Sequence, residues 1–330
     1  MKKITMLDVA QKANVSKSTV SQYINNRYEY MAESTKMRIE EAIRELGYIP
    51  NFVAKSLKQK KSSTIGVIVA NILHTFSTEI IRAIEDVCEK NDFHLFVCNA
   101  DDNPEKERAY IDMLLAKQVD GLIIFPTIGN EDQYKRLKAS NFPIVFVDRK
   151  LEEAIYPTLL LDNERAAEIA VQEIIQKGHK KIGLVSMTLS QKVTPRIERI
   201  NGYKKTLRQN DLPVKDDWII AAERKNIIPE LEKVWLKEDT PEAFFATNDL
   251  SLIELLKFLR KKNLKVPEDI SVIAVDDSDF LEISATPITA IKQPTFEIGN
   301  NAASILLDLI RNPQLEEVYE IKRYAPALVE

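Results

Sequence analysis

The chain is poor in the residues that make catalytic or metal sites: among 330 residues there are 8 glycines, 2 cysteines and 3 histidines. Phosphate loops and nucleophile elbows need glycine where backbone must approach a ligand, and neither GxxxxGK nor GxSxG occurs in the sequence. Cys88 and Cys98 form no CxxC and fall on an expected helix and the strand after it, so buried reduced thiols are expected rather than a disulfide or a metal site. His74, His94 and His179 are scattered and give no HExxH. No apolar run approaches the ~18 to 20 residues a membrane span requires. The start, Met-Lys-Lys-Ile-Thr, leads straight into an amphipathic helix, without the apolar stretch and small-residue cleavage site of a secretory signal. No catalytic residue, metal or cofactor is expected, and the protein is assigned to the cytoplasm with no membrane partner.

What is present is ordinary globular material, 45% hydrophobic and 29% charged, long enough for two or three domains of ~100 to 200 residues. The net charge of −4 hides an asymmetry. Residues 1–61 hold 12 Lys and Arg against 6 Asp and Glu, whereas the remainder holds 34 against 44. A basic head on an acidic body points to a polyanion as partner of the head alone.

Hydrophobic periodicity separates the same two regions. From Met6 to about Leu57 it is helical, in four short segments broken at Asn14, around Asn25 to Met31, and at Gly47 to Pro50. From residue 62 onward, strand-like apolar runs such as Ile65 to Val69, Leu122 to Phe125, Ile144 to Val147, Ile182 to Val185, Ala243 to Ala246 and Val272 to Val275 alternate with amphipathic helical stretches. That alternation implies parallel sheets with right-handed crossovers.

Asp8 to Asn25 reads DVAQKANVSKSTVSQYIN. Val9, Ala10 and Ala13 give one short apolar face, Asn14 tolerates a left-handed turn, and Ser16 caps a second helix that turns Val20 and Ile24 inward. This is a helix-turn-helix, with small Ala10 where the helices meet. Two plain core helices would give the same hairpin. Against that, the second helix opens with Lys17 and Ser18 and places Gln22 one turn later on the same face, where such helices reach base edges in the major groove. Thr5, Ser16, Thr19, Ser21 and Asn25 complete the expected DNA contacts, several of them holding phosphates. A third helix, Glu33 to Leu46, is expected to stop at Gly47.

After this comes YIPNFVAKSLK, and here the sequence closely resembles the LacI/GalR family of repressors over essentially its whole length. The matching stretches include the helix-turn-helix, IPNFVAKSL, VDGLIIFP at 119 to 126, VDR at 147 to 149, KGHKKIG at 177 to 183 and VPEDISVIAVDDSDF at 266 to 280. Within it, SKSTVSQYINNRYEYM resembles regulators of ketodeoxygluconate and pectin-sugar use. One departure is Ala32, which stands where relatives usually carry a serine cap. The resemblance implies an all-α helix-turn-helix head (residues 1–47), a hinge helix and linker (48–61), and an α/β core (62–330) of two doubly wound parallel-sheet lobes like those of periplasmic binding proteins. The N-lobe would be about 62–160 and 291–320, the C-lobe about 161–290 and 321–330. It also implies that Asn51 to Leu57 pairs with its dimer mate in the minor groove, with Ala54 at the pairing surface and Leu57 wedged between base pairs. A seven-residue helix is too short to stand alone in water, which suits a segment that folds on DNA.

The ligand of such a core lies between the lobes, beyond the carboxyl ends of the strands. Asp148, Asn248 and Asp276 each follow an apolar strand at once or within two residues. By resemblance Arg199 clamps ligand oxygens, with Thr194 and Arg196 just before it, Phe76 stacks on the ligand, and Gln293 lies at a lobe crossover. A capping or packing role would account for any one of these residues; for the set, ligand binding is favoured. His179 is assigned to a turn. Planar polar groups with an aromatic platform suit a sugar or sugar acid, and Arg149, Arg196 and Arg199 tilt the reading toward an anion. The expected partners are thus a pseudo-palindromic operator in double-stranded DNA, a sugar-type effector and a second copy of the chain. A dimer is the expected limit, because tetrameric relatives carry a leucine heptad after the core whereas this sequence reaches Glu330 directly after Tyr324 to Val329. A periplasmic sugar-binding protein fits the body but not the basic head. A sugar-acting enzyme would need a base or nucleophile with a partner, and the sequence offers only scattered carboxylates.

Overall fold

The computed structural model describes residues 4–48, 62–278, 281, 288–313 and 320–329. The chain divides into two compact units, Met1–Ser62 and Ser63–Glu330. Among the described residues no helix is long and apolar enough to cross a membrane.

Among the described residues the first unit holds three helices, α1 (Met6–Lys12), α2 (Lys17–Ile24) and α3 (Glu33–Leu46). They close over a small core of Val9, Ala10, Ala13, Val20, Ile39, Ala42 and Tyr48. Local chemistry fixes each helix end. Thr5 and Asp8 form a reciprocal capping box on α1. Asn14 takes the turn at φ 52°, and the Ser16 hydroxyl accepts from the Thr19 amide at 3.1 Å to start α2. Gly47 ends α3 in the left-handed region at φ 59°. The first turn of α3 follows Ala32, which supplies no side-chain cap. The hinge residues Asn51, Ala54 and Leu57 lie outside the described residues.

The second unit contains two six-stranded sheets. In the N-lobe the order is β11-β5-β4-β3-β1-β2, from β1 (Thr64–Val69), β2 (His94–Asn99), β3 (Gly121–Ile124), β4 (Ile144–Val147), β5 (Thr158–Leu161) and β11 (Ile321–Tyr324), all parallel. In the C-lobe the order is β12-β10-β9-β8-β6-β7, from β6 (Ile182–Met187), β7 (Ile219–Ala222), β8 (Ala243–Ala246), β9 (Ser271–Val275), β10 (Thr289–Lys292) and the antiparallel β12 (Ala327–Val329). β3, β4, β5, β8 and β9 are buried along their whole length. Helices on both faces cover them, which is why they read as continuous apolar runs rather than alternating ones. The N-lobe carries α4 (Thr75–Glu89), α5 (Pro104–Ala116), α6 (Glu131–Ala139) and α11 (Thr295–Arg311). The C-lobe carries α7 (Asn163–Gln176), α8 (Thr194–Gln209), α9 (Arg224–Trp235) and α10 (Asp249–Lys261).

The chain crosses between lobes after β5, after β10 and after β11. The expected boundaries need correction at the later crossings. Residues 321–324, assigned in advance to the C-lobe, form β11 and pair with β5 in the N-lobe sheet. Ile291 and Lys292, assigned to the N-lobe, belong to C-lobe strand β10. The reason is that an edge strand is placed by the ladder it completes, and β11 has the mixed, mostly exposed pattern that hides such a strand in sequence.

Both lobes dock one helix through a glycine. A Cβ on Gly299 of α11 would lie 2.6 Å from Ala83 Cβ and 2.9 Å from the Ile80 carbonyl oxygen on α4. On Gly202 of α8 it would lie 2.6 Å from the Glu164 carbonyl oxygen on α7. These contacts seat α4 and α8, two of the helices whose N-terminal ends reach the space between the lobes.

Candidate functional site

In the head, Lys17 and Ser18 are the first two residues of α2 and are exposed, as is Gln22 one turn on. Ser16 caps the helix, its hydroxyl lying 2.7 Å from that of Ser18 and 2.8 Å from that of Thr19. Asn25 ends the helix and its side-chain amide donates to the Ser21 carbonyl at 2.6 Å. Thr5 is spent on the capping box of α1 but remains exposed. The outcome is an eight-residue helix whose start presents one ammonium, hydroxyls and a carboxamide to solvent.

In the core, parallel strands of both lobes point their carboxyl ends at one cavity of about 50 Å³. It is lined by Phe76, Asp148, Arg196, Arg199, Asn248, Asp276 and Gln293, seven of the eight residues singled out from sequence. The eighth, Thr194, lines an adjoining space, and its hydroxyl accepts from the Lys150 amide of the N-lobe at 3.1 Å.

Asp148 after β4 and Asp276 after β9 occupy the same place in their lobes. Each has a positive φ, 69° and 83°, and each amide donates to the neighbouring strand, to the carbonyls of Leu159 and Ile291. Aspartate tolerates this conformation better than most residues, and the turn aims both carboxylates into the cavity. Burial pushes both carboxyls above their usual range.

Arg199, 4% exposed, enters from α8. It donates to Asn163 Oδ1 at 2.9 Å and to the Thr247 carbonyl at 2.5 Å, and Asp276, Asp148 and Asp249 surround it. Asn248 caps α10, accepting from the Ser251 amide at 2.8 Å. Gln293 donates to Asp276 at 2.6 Å. Phe76 packs edge-on against Phe125 with centroids 6.0 Å apart.

Three residues central to this network were not singled out from the sequence. Asp102, after β2, accepts from Arg149 of its own lobe at 2.5 Å and from Arg196 of the other lobe at 2.9 Å. Burial works against its charge, but the two guanidinium groups outweigh burial and hold the carboxyl below its usual range. His74 Nδ1 of the N-lobe lies 2.5 Å from Asp249 of the C-lobe, which also accepts from the Thr75 amide at 2.9 Å. Arg149 and Arg196 therefore already share one carboxylate partner, Asp102, whereas Arg199 is held by Asn163 and the Thr247 carbonyl.

Residues 62–326 match the family of periplasmic binding proteins and sugar binding domain of the LacI family. Residues 5–51 match the bacterial regulatory proteins of the lacI family. The chain is 43% identical over 327 residues to the probable HTH-type transcriptional regulator EndR of Paenibacillus polymyxa, covering 98% of this chain and 96% of that protein. It is 32% identical over 315 residues to the HTH-type transcriptional regulator KdgR of Bacillus subtilis, covering 93% and 91%. Among solved structures, the Lac repressor bound to ONPG in its repressed state superposes with a TM-score of 0.85 at 26% identity, covering 100% of this chain and 99% of that one.

Proposed function

The chain belongs to the lacI family of bacterial regulatory proteins and is a DNA-binding transcription regulator rather than an enzyme; from that premise we propose that it is a cytoplasmic repressor released from, or locked onto, its operator by a sugar or sugar acid bound between the core lobes. The observation that carries the effector half is the convergence of Asp148, Arg199, Asp276 and Gln293, drawn from both lobes, on one buried cavity. Any ligand touching both lobes binds one lobe arrangement better than another, and that difference is what an allosteric effector needs.

The DNA half rests on α2. Lys17, Ser18 and Gln22 read base edges in the major groove, while Thr5, Ser16, Thr19, Ser21 and Asn25 hold phosphates. The DNA contacts of this reading extend to Asn51, Ala54 and Leu57, with Leu57 acting as the minor-groove wedge.

The protein acts as a homodimer. Strand β2 lies at the edge of the N-lobe sheet and exposes Phe96 and Val97, each at 42%. Beside it runs a groove of about 690 Å³ lined by Ile81, Phe93, Leu95 and Val97 together with Glu85, Glu89, Asp92 and His94. An apolar sheet edge of this kind is what a second copy would cover.

The test is a thermal-shift screen of sugars, sugar acids and sugar phosphates on the whole protein, repeated with operator DNA. The reading expects at least one compound to raise the melting temperature, and operator to change the size of that rise. Compounds that stabilise the protein equally with and without operator would contradict it.

A further inference from the structure

A second space adjoins the cleft floor, separated from it by Asp102 and Arg149. The floor, at about 50 Å³, has room for one or two waters of ~30 Å³ each. The outer space is about 330 Å³, within the ~300 to 1,000 Å³ of small-molecule sites. Arg149 and Val193 line both, so the two share a wall.

Its walls come from both lobes: Pro104, Pro126, Thr127, Ile128 and Lys150 on one side, Gln191, Lys192 and Val193 on the other. Both walls are fastened. The Thr127 amide donates at 2.8 Å to Glu107, a fully buried carboxylate that also accepts from Asn130 at 2.7 Å and from the Tyr134 hydroxyl. On the other side Gln191 donates to the Asp102 carbonyl across the cleft at 2.9 Å. Burying Glu107 is costly, and its hydrogen bonds go to the stretch Thr127 to Tyr134, so that cost is spent in holding this wall in place.

We propose that the outer space is a second sugar subsite, so that the effector is a saccharide of two or more rings, one at the floor and the next between the 126–128 and 190–193 loops. This rests on the sugar-effector reading above and narrows it. A sugar ring has apolar C–H faces and a hydroxyl rim, matching prolines, Ile128 and Val193 beside Thr127, Gln191 and the Asp102–Arg149 pair. At the floor Arg149 and Arg196 both donate to Asp102, whereas Lys150 and Lys192 line the outer space. A ring reaches the floor as the Asp102–Arg196 and His74–Asp249 contacts part.

The test is calorimetry on the full chain with mono-, di- and trisaccharides of β-1,4-glucose, α-1,4-glucose and β-1,4-xylose, beside mono- and digalacturonate. In the series that binds, the disaccharide should bind about tenfold tighter than its monosaccharide. Ile128→Asp, at a half-exposed loop position, should collapse that ratio toward one, and Gln191→Ala should lower it. Equal affinity for mono- and disaccharide, or a ratio untouched by both substitutions, overturns the second subsite while leaving the sugar reading standing. Binding of no saccharide at all, neutral or acidic, overturns the sugar reading with it.

Discussion

The start of α2 and the floor of the cleft use polar side chains in opposite ways. On α2 the candidate reading groups Lys17, Ser18 and Gln22 are exposed and lie within six consecutive residues. In the cleft, Arg149, Arg196, Arg199 and Asp276 are each less than 10% exposed and are tied to partners from distant parts of the chain. An exposed polar residue can change with little effect on the fold, usually within ±0.5 kcal/mol. A buried charge cannot, because its partner is left unmatched in a poor solvent for ions. Recognition of DNA and recognition of effector should therefore respond differently to mutation: one in affinity alone, the other in affinity and stability together.

The sharpest way to break that contrast is Arg199→Ala. It strands Asn163 and the Thr247 carbonyl and leaves Asp148, Asp249 and Asp276 facing one another, so core stability should fall by about 3 to 5 kcal/mol in urea unfolding and the effector response should vanish. A loss no larger than that of an exposed substitution would end the comparison. Gly202→Ala and Gly299→Ala come next. Their new methyl groups meet backbone oxygen at 2.6 and 2.9 Å, and each should cost about 1 to 3 kcal/mol by thermal denaturation, with effector affinity lowered because α8 and α4 carry site residues. Unchanged melting in both would show that these helices are not seated as described.

Smaller effects belong to the head. Ala32 has the extended backbone of an N-cap, φ −60° and ψ 142°, and no side-chain acceptor. Ala32→Ser should stabilise the head by about 1 kcal/mol, seen as slower amide exchange in α3; no change would mean that its first turn is satisfied otherwise. Gln22→Ala should move stability by less than about 0.5 kcal/mol. It should still cost about 1 to 3 kcal/mol of operator binding at a single base position, read by a binding-site selection. Sequence preference kept at every position would remove Gln22 from the reading face.

The same contrast explains what the sequence disclosed. The helix-turn-helix was legible because its signals are local: Asn14 at the turn, Ser16 at the cap, Gly47 at the stop. Most central strands were legible because four buried apolar residues in a row admit few other readings, although β5 and β10 were not among them. Asp148 and Asp276 could be placed by position alone, directly after such strands. Asp102 and the His74–Asp249 pair could not, since their partners lie 94 and 175 residues away and no local pattern records the meeting. Strands β7, β11 and β12 escaped for a related reason: each is short and lies at a sheet edge, with a burial pattern set by its neighbour rather than by its own residues. The near-repeat of Val147-Asp148 and Val275-Asp276 was visible in the letters, but only the shared positive φ and the shared bond to the next strand show it to be one turn used twice.

The central claim is that the cleft and the reading helix are coupled through one equilibrium. Its most direct test is a closed thermodynamic cycle on the whole protein at one salt concentration, because phosphate contacts make operator affinity salt-dependent. Operator affinity is measured with and without saturating effector, and effector affinity with and without saturating operator. The account predicts that the two ratios are equal, at about 5- to 150-fold, corresponding to ~1 to 3 kcal/mol of coupling. An effector that binds the cleft tightly yet leaves operator affinity unchanged would contradict it.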